Sequence, residues 1–294
     1  MKRIVILGCG FVGRRAARLF AGAGWAVTGV TRSAESVARL VGAGLNAVAC
    51  DIADAEGLSA VTELKGADVV ISAVSSGRGG VEAYREVYLR GLENAIARLR
   101  PGLVVFVSST SVYAQDDGSL VTELSSAEPA SPTSRILREA EEVALANGGV
   151  VARLAGIYGP GRSVLLRKFL EGTAVIEGEG TRHINQIHAD DAASALFHIV
   201  ERSLPPGIYN VVDDYPVTHI ECYGWLSAKL NQPLPPRGPV DPTRKRGLTD
   251  KRVSNSKLRS LGWAPRYPSY REALDLDPEL LAAARGDGSG DAPP

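Results

Sequence analysis

The stretch Lys2-Arg3-Ile4-Val5-Ile6-Leu7-Gly8-Cys9-Gly10-Phe11-Val12-Gly13 decides the fold. Its apolar run reads as a strand, and a G-x-G-x-x-G turn follows without a gap. Phe11, Val12, Ala16, Leu19 and Phe20 then recur at helical spacing, so the order is strand, glycine turn, helix. Gly8 permits the tight turn, Gly10 lets the backbone approach a pyrophosphate, and Gly13 lets helix and strand pack closely. The helix N-terminus adds N–H groups and the positive end of its dipole. Such a turn can be purely structural. The strand before it and the helix after it are what favour nucleotide binding.

Outward from this unit, strand and helix signals alternate. Strands are expected at 26–30, 47–49, 68–72, 103–107 and 149–154, and helices at 34–40, 54–64, 83–99 and 134–146. The alternation predicts an α/β fold, a Rossmann-type doubly wound parallel sheet. Beyond about residue 160 it fails. Short elements are expected there: a helix at 165–170, a strand at 173–176, a helix at 190–201, a strand at 208–212 and a helix at 218–230. The expected division is a nucleotide-binding domain at 1–160 and a smaller substrate-binding lobe at 161–284, interleaved with it. A polar Gly, Asp and Pro tail at 285–294 is expected to be disordered. Residues 231–249 carry five prolines and the run Arg244-Lys245-Arg246, which reads as a solvated loop.

Lys plus Arg and Asp plus Glu both total 33, so net charge argues for neither nucleic acid nor an acidic membrane surface. Cys9, Cys50 and Cys222 are widely spaced, which fits reduced thiols in a cytoplasmic protein better than disulfides. No metal-ligand cluster is evident. No stretch approaches the roughly 20 apolar residues of a membrane span.

The cofactor type turns on residue 32. In the dinucleotide fingerprint an acidic residue about 20 positions after the glycines binds the NAD ribose. Here Val30-Thr31-Arg32-Ser33 supplies a guanidinium and a hydroxyl, which suit the 2′-phosphate of NADP, with NAD as the alternative. Asp51, after the third strand, suits the adenine amine or a helix cap.

These residues resemble the extended short-chain dehydrogenase/reductases, the NAD(P)-dependent epimerase/dehydratase group, and nearest its atypical YeeZ-like sugar-epimerase branch. Besides the glycine turn and Asp51, the resemblance rests on Val107-Ser108-Ser109-Thr110-Ser111-Val112-Tyr113-Ala114 and on Val121-Thr122-Glu123 with Pro129-Ala130-Ser131-Pro132. It continues through Arg153-Leu154-Ala155-Gly156-Ile157-Tyr158-Gly159-Pro160-Gly161-Arg162, Ile187-His188-Ala189-Asp190-Asp191, Gly207-Ile208-Tyr209-Asn210-Val211 and Lys251-Arg252-Val253-Ser254-Asn255. It implies a cofactor site at Gly8, Gly10, Phe11, Val12, Gly13, Arg32, Ser33, Asp51, Ile52, Ser72 and Ala73. It also implies a sugar or sugar-nucleotide-like substrate, and homodimers through helices at 83–99 and 134–146.

In that family a Ser or Thr four residues before the Tyr of V-Y-G polarises the substrate oxygen, a position held here by Ser109. The family's Tyr-x-x-x-Lys pair transfers the proton, its Lys lowering the Tyr pKa. The segment that should carry it has Thr133 and Leu137 instead, and a shift by one gives Ser134 and Arg138. Neither Thr nor Ser titrates near neutrality. Tyr113 and Tyr158 are substitute candidates, as are His183 and, with a structural role favoured, His188. Thr110, Arg162 and Arg182 are candidates for substrate contact. Two functions fit these residues: an NAD(P)-dependent oxidoreductase or epimerase with an unusual proton donor, or an NADP-binding protein with little turnover.

Overall fold

The computed structural model describes residues 1–77, 79–241 and 249–286. The run Arg244-Lys245-Arg246, and all of the expected tail except Arg285 and Gly286, lie outside the described residues. From the N-terminus come β1 (Arg3–Leu7), α1 (Gly13–Gly22), β2 (Ala26–Thr31), α2 (Ala34–Gly42), β3 (Ala47–Ala49), α3 (Ala55–Ala60) and β4 (Val69–Ser72). Next are α4 (Val81–Tyr84), α5 (Gly91–Leu99), β5 (Leu103–Ser109), β6 (Leu120–Val121), α6 (Pro132–Ala146) and β7 (Val150–Leu154). Shorter elements follow: β8 (Gly156–Tyr158), α7 (Val164–Leu170), β9 (Ile176–Glu177), β10 (His183–Ile184), β11 (Gln186–His188), α8 (Ala189–Glu201), β12 (Gly207–Val211) and β13 (Val217–Thr218). The chain closes with α9 (His219–Leu230), β14 (Arg237–Gly238), β15 (Arg252–Val253), α10 (Ser256–Ser260), α11 (Tyr270–Leu276) and α12 (Pro278–Arg285).

Seven strands form one sheet in the order β12-β7-β5-β4-β1-β2-β3, and the pairings from β7 through β3 are all parallel. The fold is the expected doubly wound α/β sheet. Strands β4 and β7 are buried at every position, as strands covered on both faces must be. The winding reverses between β1 and β4, which sets their carboxyl ends, Leu7 and Ser72, side by side. A ligand crevice lies at such a reversal.

The chain forms two compact units that interleave along the sequence. One comprises Met1–Val112, Ala127–Leu154 and Ala192–Tyr209; the other takes Tyr113–Ser126, Ala155–Asp191 and the described residues from Asn210 on. In the first, Val5, Leu7, Val30 and Val70 pack with Leu58, Leu64, Ala95 and Leu99. The second has its own core, where Tyr158, Phe169, Tyr223, Tyr267 and Tyr270 meet Leu166, Leu226 and Leu280.

Four local differences from the elements expected of the sequence have physical causes. The strand expected at 208–212 runs from Gly207 to Val211 and lies at the edge of the main sheet as β12, beside β7. Helix α6 starts at Pro132, two residues early, because Ser131 caps it by accepting from Ser134 N and Pro132 suits the first turn. The strand expected from 173 begins only at Ile176, since Thr173 N and Ala174 N close the end of α7 on Lys168 O. The helix expected at 83–99 is interrupted by a π-turn over Arg85–Arg90, which hydrophobic spacing does not reveal.

Candidate functional site

The glycine turn leaves β1 with Gly8 at φ +80°, a left-handed conformation that glycine alone adopts freely. A Cβ on Gly8 would lie 2.5 Å from Val74 Cα, and one on Gly13 2.4 Å from Gly8 O. Both glycines are thus demanded by the fold. Gly10 is different: a Cβ there meets nothing within 4 Å, so the space above it is open. The first turn of α1 has no side-chain cap and no acidic residue. An anion is suited there. Phe11 is half-buried and Val12 buried. Cys9 points the other way, its thiol filling the space where a Cβ on Gly29 would sit. Burial outweighs Arg14 and Arg18 and pushes that thiol up to about 11.

The other residues expected at a cofactor lie at the ends of the neighbouring strands β2, β3 and β4. Ala73 N donates to Leu7 O at 2.8 Å, closing β4 against the turn. Ser72 Oγ and Ser76 Oγ are buried with no hydrogen-bond partner among the described residues. Buried hydroxyls left unpaired suit a ligand that would bond them. Arg32 is exposed at the end of β2, while Ser33 caps α2 by accepting from Ser36 N at 3.2 Å. Asp51 does not cap the following helix; Asp54 does, accepting from Glu56 N and Gly57 N. Asp51 Oδ1 instead accepts from Ala53 N at 3.0 Å, and Ile52 is buried beside it. These residues fit a dinucleotide.

At the end of β5 and the start of α6 the first unit gathers hydroxyls. Ser109 Oγ accepts from Ser111 N at 3.1 Å, which leaves its own proton to donate. Ser134 Oγ donates to Ser111 Oγ at 3.2 Å, and Ser131 Oγ to Ser134 Oγ at 2.9 Å, with Thr133 Oγ1 3.3 Å from Ser131. Thr110 is buried in a short 3₁₀ turn. Leu137, one turn beyond Thr133, is 5 % exposed and packs as core. Beneath this cluster lies a buried ionic network that sequence reasoning missed. Ser108 Oγ donates to Glu141 Oε1 at 2.6 Å, and Arg153 grips both Glu141 oxygens at 2.9 and 2.6 Å. Arg138 also donates to Glu141. Arg153, an arginine inside an apolar strand, was its only signal.

The remaining candidates sit in the second unit. Tyr113 is fully buried and its hydroxyl donates to Asn210 Oδ1 at 2.9 Å, so it packs rather than presents a proton. Tyr158 is buried with its hydroxyl unbonded among the described residues, and burial, then Asp213, pushes its pKa upward. Arg162 bridges to Gly159 through its backbone, and Arg182 pairs with Glu177 at 2.8 Å. His183 Nδ1 lies 2.7 Å from Asp250 Oδ1. His188 is fully buried between the Tyr158 and Tyr267 rings, with Nε2 3.2 Å from Asp277 Oδ2. That is a structural role. No group of three or more metal-ligating residues occurs among the described residues.

The sequence profile of the NAD dependent epimerase/dehydratase family matches residues 4–211. The chain belongs to that family. Protein YeeZ of Escherichia coli is 27 % identical over 278 residues, covering 91 % of this chain and 97 % of YeeZ. A Methylobacillus flagellatus structure classed as an NAD-dependent epimerase/dehydratase is 27 % identical with a TM-score of 0.79, over 97 % of this chain and 99 % of that one. The dTDP-glucose 4,6-dehydratase DesIV of Streptomyces venezuelae, solved with NAD bound, shares the fold at a TM-score of 0.80, with 23 % identity over 97 % of each chain. As an epimerase/dehydratase family member, the chain keeps the glycine turn intact. What it lacks is a titratable pair at Thr133 and Leu137.

Proposed function

We propose that the protein is an NADP-dependent oxidoreductase or epimerase acting on a sugar or sugar-nucleotide-like substrate without a Tyr-x-x-x-Lys pair. The open space above Gly10, at the reversal between β1 and β4, carries the reading. A bound nicotinamide dinucleotide would supply the hydride. Gly8 to Gly13 would hold its pyrophosphate, Asp51 and Ile52 its adenine, and Ser72 and Ala73 would line its path. Arg32 and Ser33 favour a 2′-phosphate, because a guanidinium fork binds it and a carboxylate would repel it. Ser109 would hold the substrate oxygen by donating its hydroxyl proton. Thr133, Ser131, Ser134 and Ser111 would connect that region to solvent as hydrogen-bonding hydroxyls, none of which titrates near neutrality. Sugar nucleotides are favoured by the dTDP-glucose dehydratase, whose fold this chain shares. Three buried free thiols suit a reducing, cytoplasmic location. A homodimer through α5 and α6 belongs to the same reading, and sedimentation would test it.

A second reading has its own support. Leu137 is packed into the core where a lysine would be needed, which favours a protein that binds NADP with little turnover. Incubation with NADPH and a panel of sugar nucleotides, followed at 340 nm and by product analysis, separates the two. Turnover that falls at least about 100-fold in Ser109→Ala, with cofactor binding retained, supports the enzyme. Cofactor-dependent stabilisation with no product from any substrate supports the binding protein.

A further inference from the structure

The loop Asp51-Ile52-Ala53 is shaped by a helix whose sequence carries no cofactor signature. Asn94 on α5 donates both protons of its side-chain amide to this loop, reaching Ile52 O and Ala53 O at 3.0 Å each. Three residues earlier, Gly91 meets the same loop: a Cβ there would lie 2.5 Å from Ile52 Cδ1. The helix approaches this closely because residue 91 has no side chain. The π-turn over Arg85–Arg90 ends directly before Gly91. Such a turn inserts an extra residue and resets the phase of the helix beyond it, and π-turns are frequent at functional sites. Here the reset phase puts Gly91 and Asn94 against the loop.

The consequence falls on Asp51. Asn94 holds the backbone of this loop through two of its carbonyls, and within the same loop Ala53 N donates to Asp51 Oδ1 at 3.0 Å. That bond orients one carboxylate oxygen of the exposed Asp51, and among the described residues the other is open to accept from a ligand. A fixed carboxylate takes the exocyclic amine of adenine and repels a carbonyl at the same ring position. Resting on the cofactor reading above, we propose that Asn94 is the positioning residue for adenine recognition. It acts through the loop and does not touch the cofactor.

The test compares affinities for NADPH and for its hypoxanthine analogue, in which a carbonyl replaces the adenine amine. Titration by nicotinamide fluorescence reads both without requiring turnover. The wild type is expected to prefer the adenine form by about tenfold or more, the usual range for a hydrogen bond to a charged group. In Asn94→Leu the preference should shrink towards unity, because the loop carbonyls lose their donors and the carboxylate its fixed geometry. A residue that merely supported the fold would weaken both ligands equally and leave the ratio unchanged. If Asn94→Leu does not fold, Gly91→Ala serves instead, since its methyl displaces Ile52 while the asparagine remains; it too should reduce the ratio. A folded variant with the wild-type ratio, or a wild type indifferent to the base, overturns the inference. A wild type that binds neither dinucleotide removes the cofactor reading itself.

Discussion

Gly10 and Gly13 lie three residues apart in one turn, yet a methyl group has opposite consequences at the two. At Gly13 it would lie 2.4 Å from a backbone oxygen, so Gly13→Ala should lower stability by about 1–3 kcal/mol with or without ligand. At Gly10 it meets only open space. Gly10→Ala should therefore melt within a degree or two of wild type while losing the stabilisation given by NADPH. Thermal melts with and without cofactor read both effects, and a destabilised apo Gly10→Ala protein would contradict this assignment. Asp213 offers a test by pH. It is 3 % exposed, its Oδ1 has no hydrogen-bond partner among the described residues, and burial raises its carboxyl well above the usual range. A raised folded pKa means that its contribution is fully present below the unfolded value of about 4 and is lost as pH rises through the folded value. Asp213→Asn never ionises. The variant should match wild type near pH 4 and be more stable by about 1–3 kcal/mol at pH 8, a gap read by melting temperature across that range. A variant less stable at pH 8 would remove the argument.

Among elements, β5, α6 and β7 are tied together by Glu141. Glu141→Gln leaves Arg153 buried without its carboxylate, and such a loss typically costs about 3–5 kcal/mol. Urea unfolding should show it, and a loss below about 1 kcal/mol would mean that the network adds little. Little of this network was legible. Arg153 stood out in Val150-Val151-Ala152-Arg153-Leu154, but its partner lies on another element, and residue type alone cannot pair them. By contrast β1, its glycine turn and α1 were fully legible, because their signals are local: an apolar run, glycines at fixed spacing, and apolar residues at helical period. The lowered visibility of the hydroxyl cluster has the same origin. Ser109 could be placed from its motif, but the hydroxyl chain through Ser131 and Ser134 depends on where α6 begins, and that was set by a cap two residues earlier. Tyr113 looked available in sequence and proved buried, since its partner Asn210 is far along the chain. The helices after residue 256 went unread altogether, their short apolar spacing being too brief to establish a period.

At the scale of the whole molecule, ligand binding is measured as stability. A cofactor present at 100 times its dissociation constant adds about 2.7 kcal/mol to folding, so NADP should raise the melting temperature by several degrees. NAD at the same concentration should raise it less, and Arg32→Glu should reverse that order, because a carboxylate repels the 2′-phosphate and accepts from a ribose hydroxyl. Equal shifts in both proteins would remove Arg32 from cofactor selection. No helix among the described residues is long and apolar enough to cross a membrane.

The three cysteines give this molecule a built-in clock. All are free and buried, Cys9 and Cys50 within the unit that carries the glycine turn and Cys222 within the other. A buried thiol reacts with an alkylating reagent only when its surroundings open, so each labelling rate reports the opening frequency of its own neighbourhood. Dinucleotide should slow Cys9 and Cys50. Whether Cys222 slows with them measures how far the two units breathe as one.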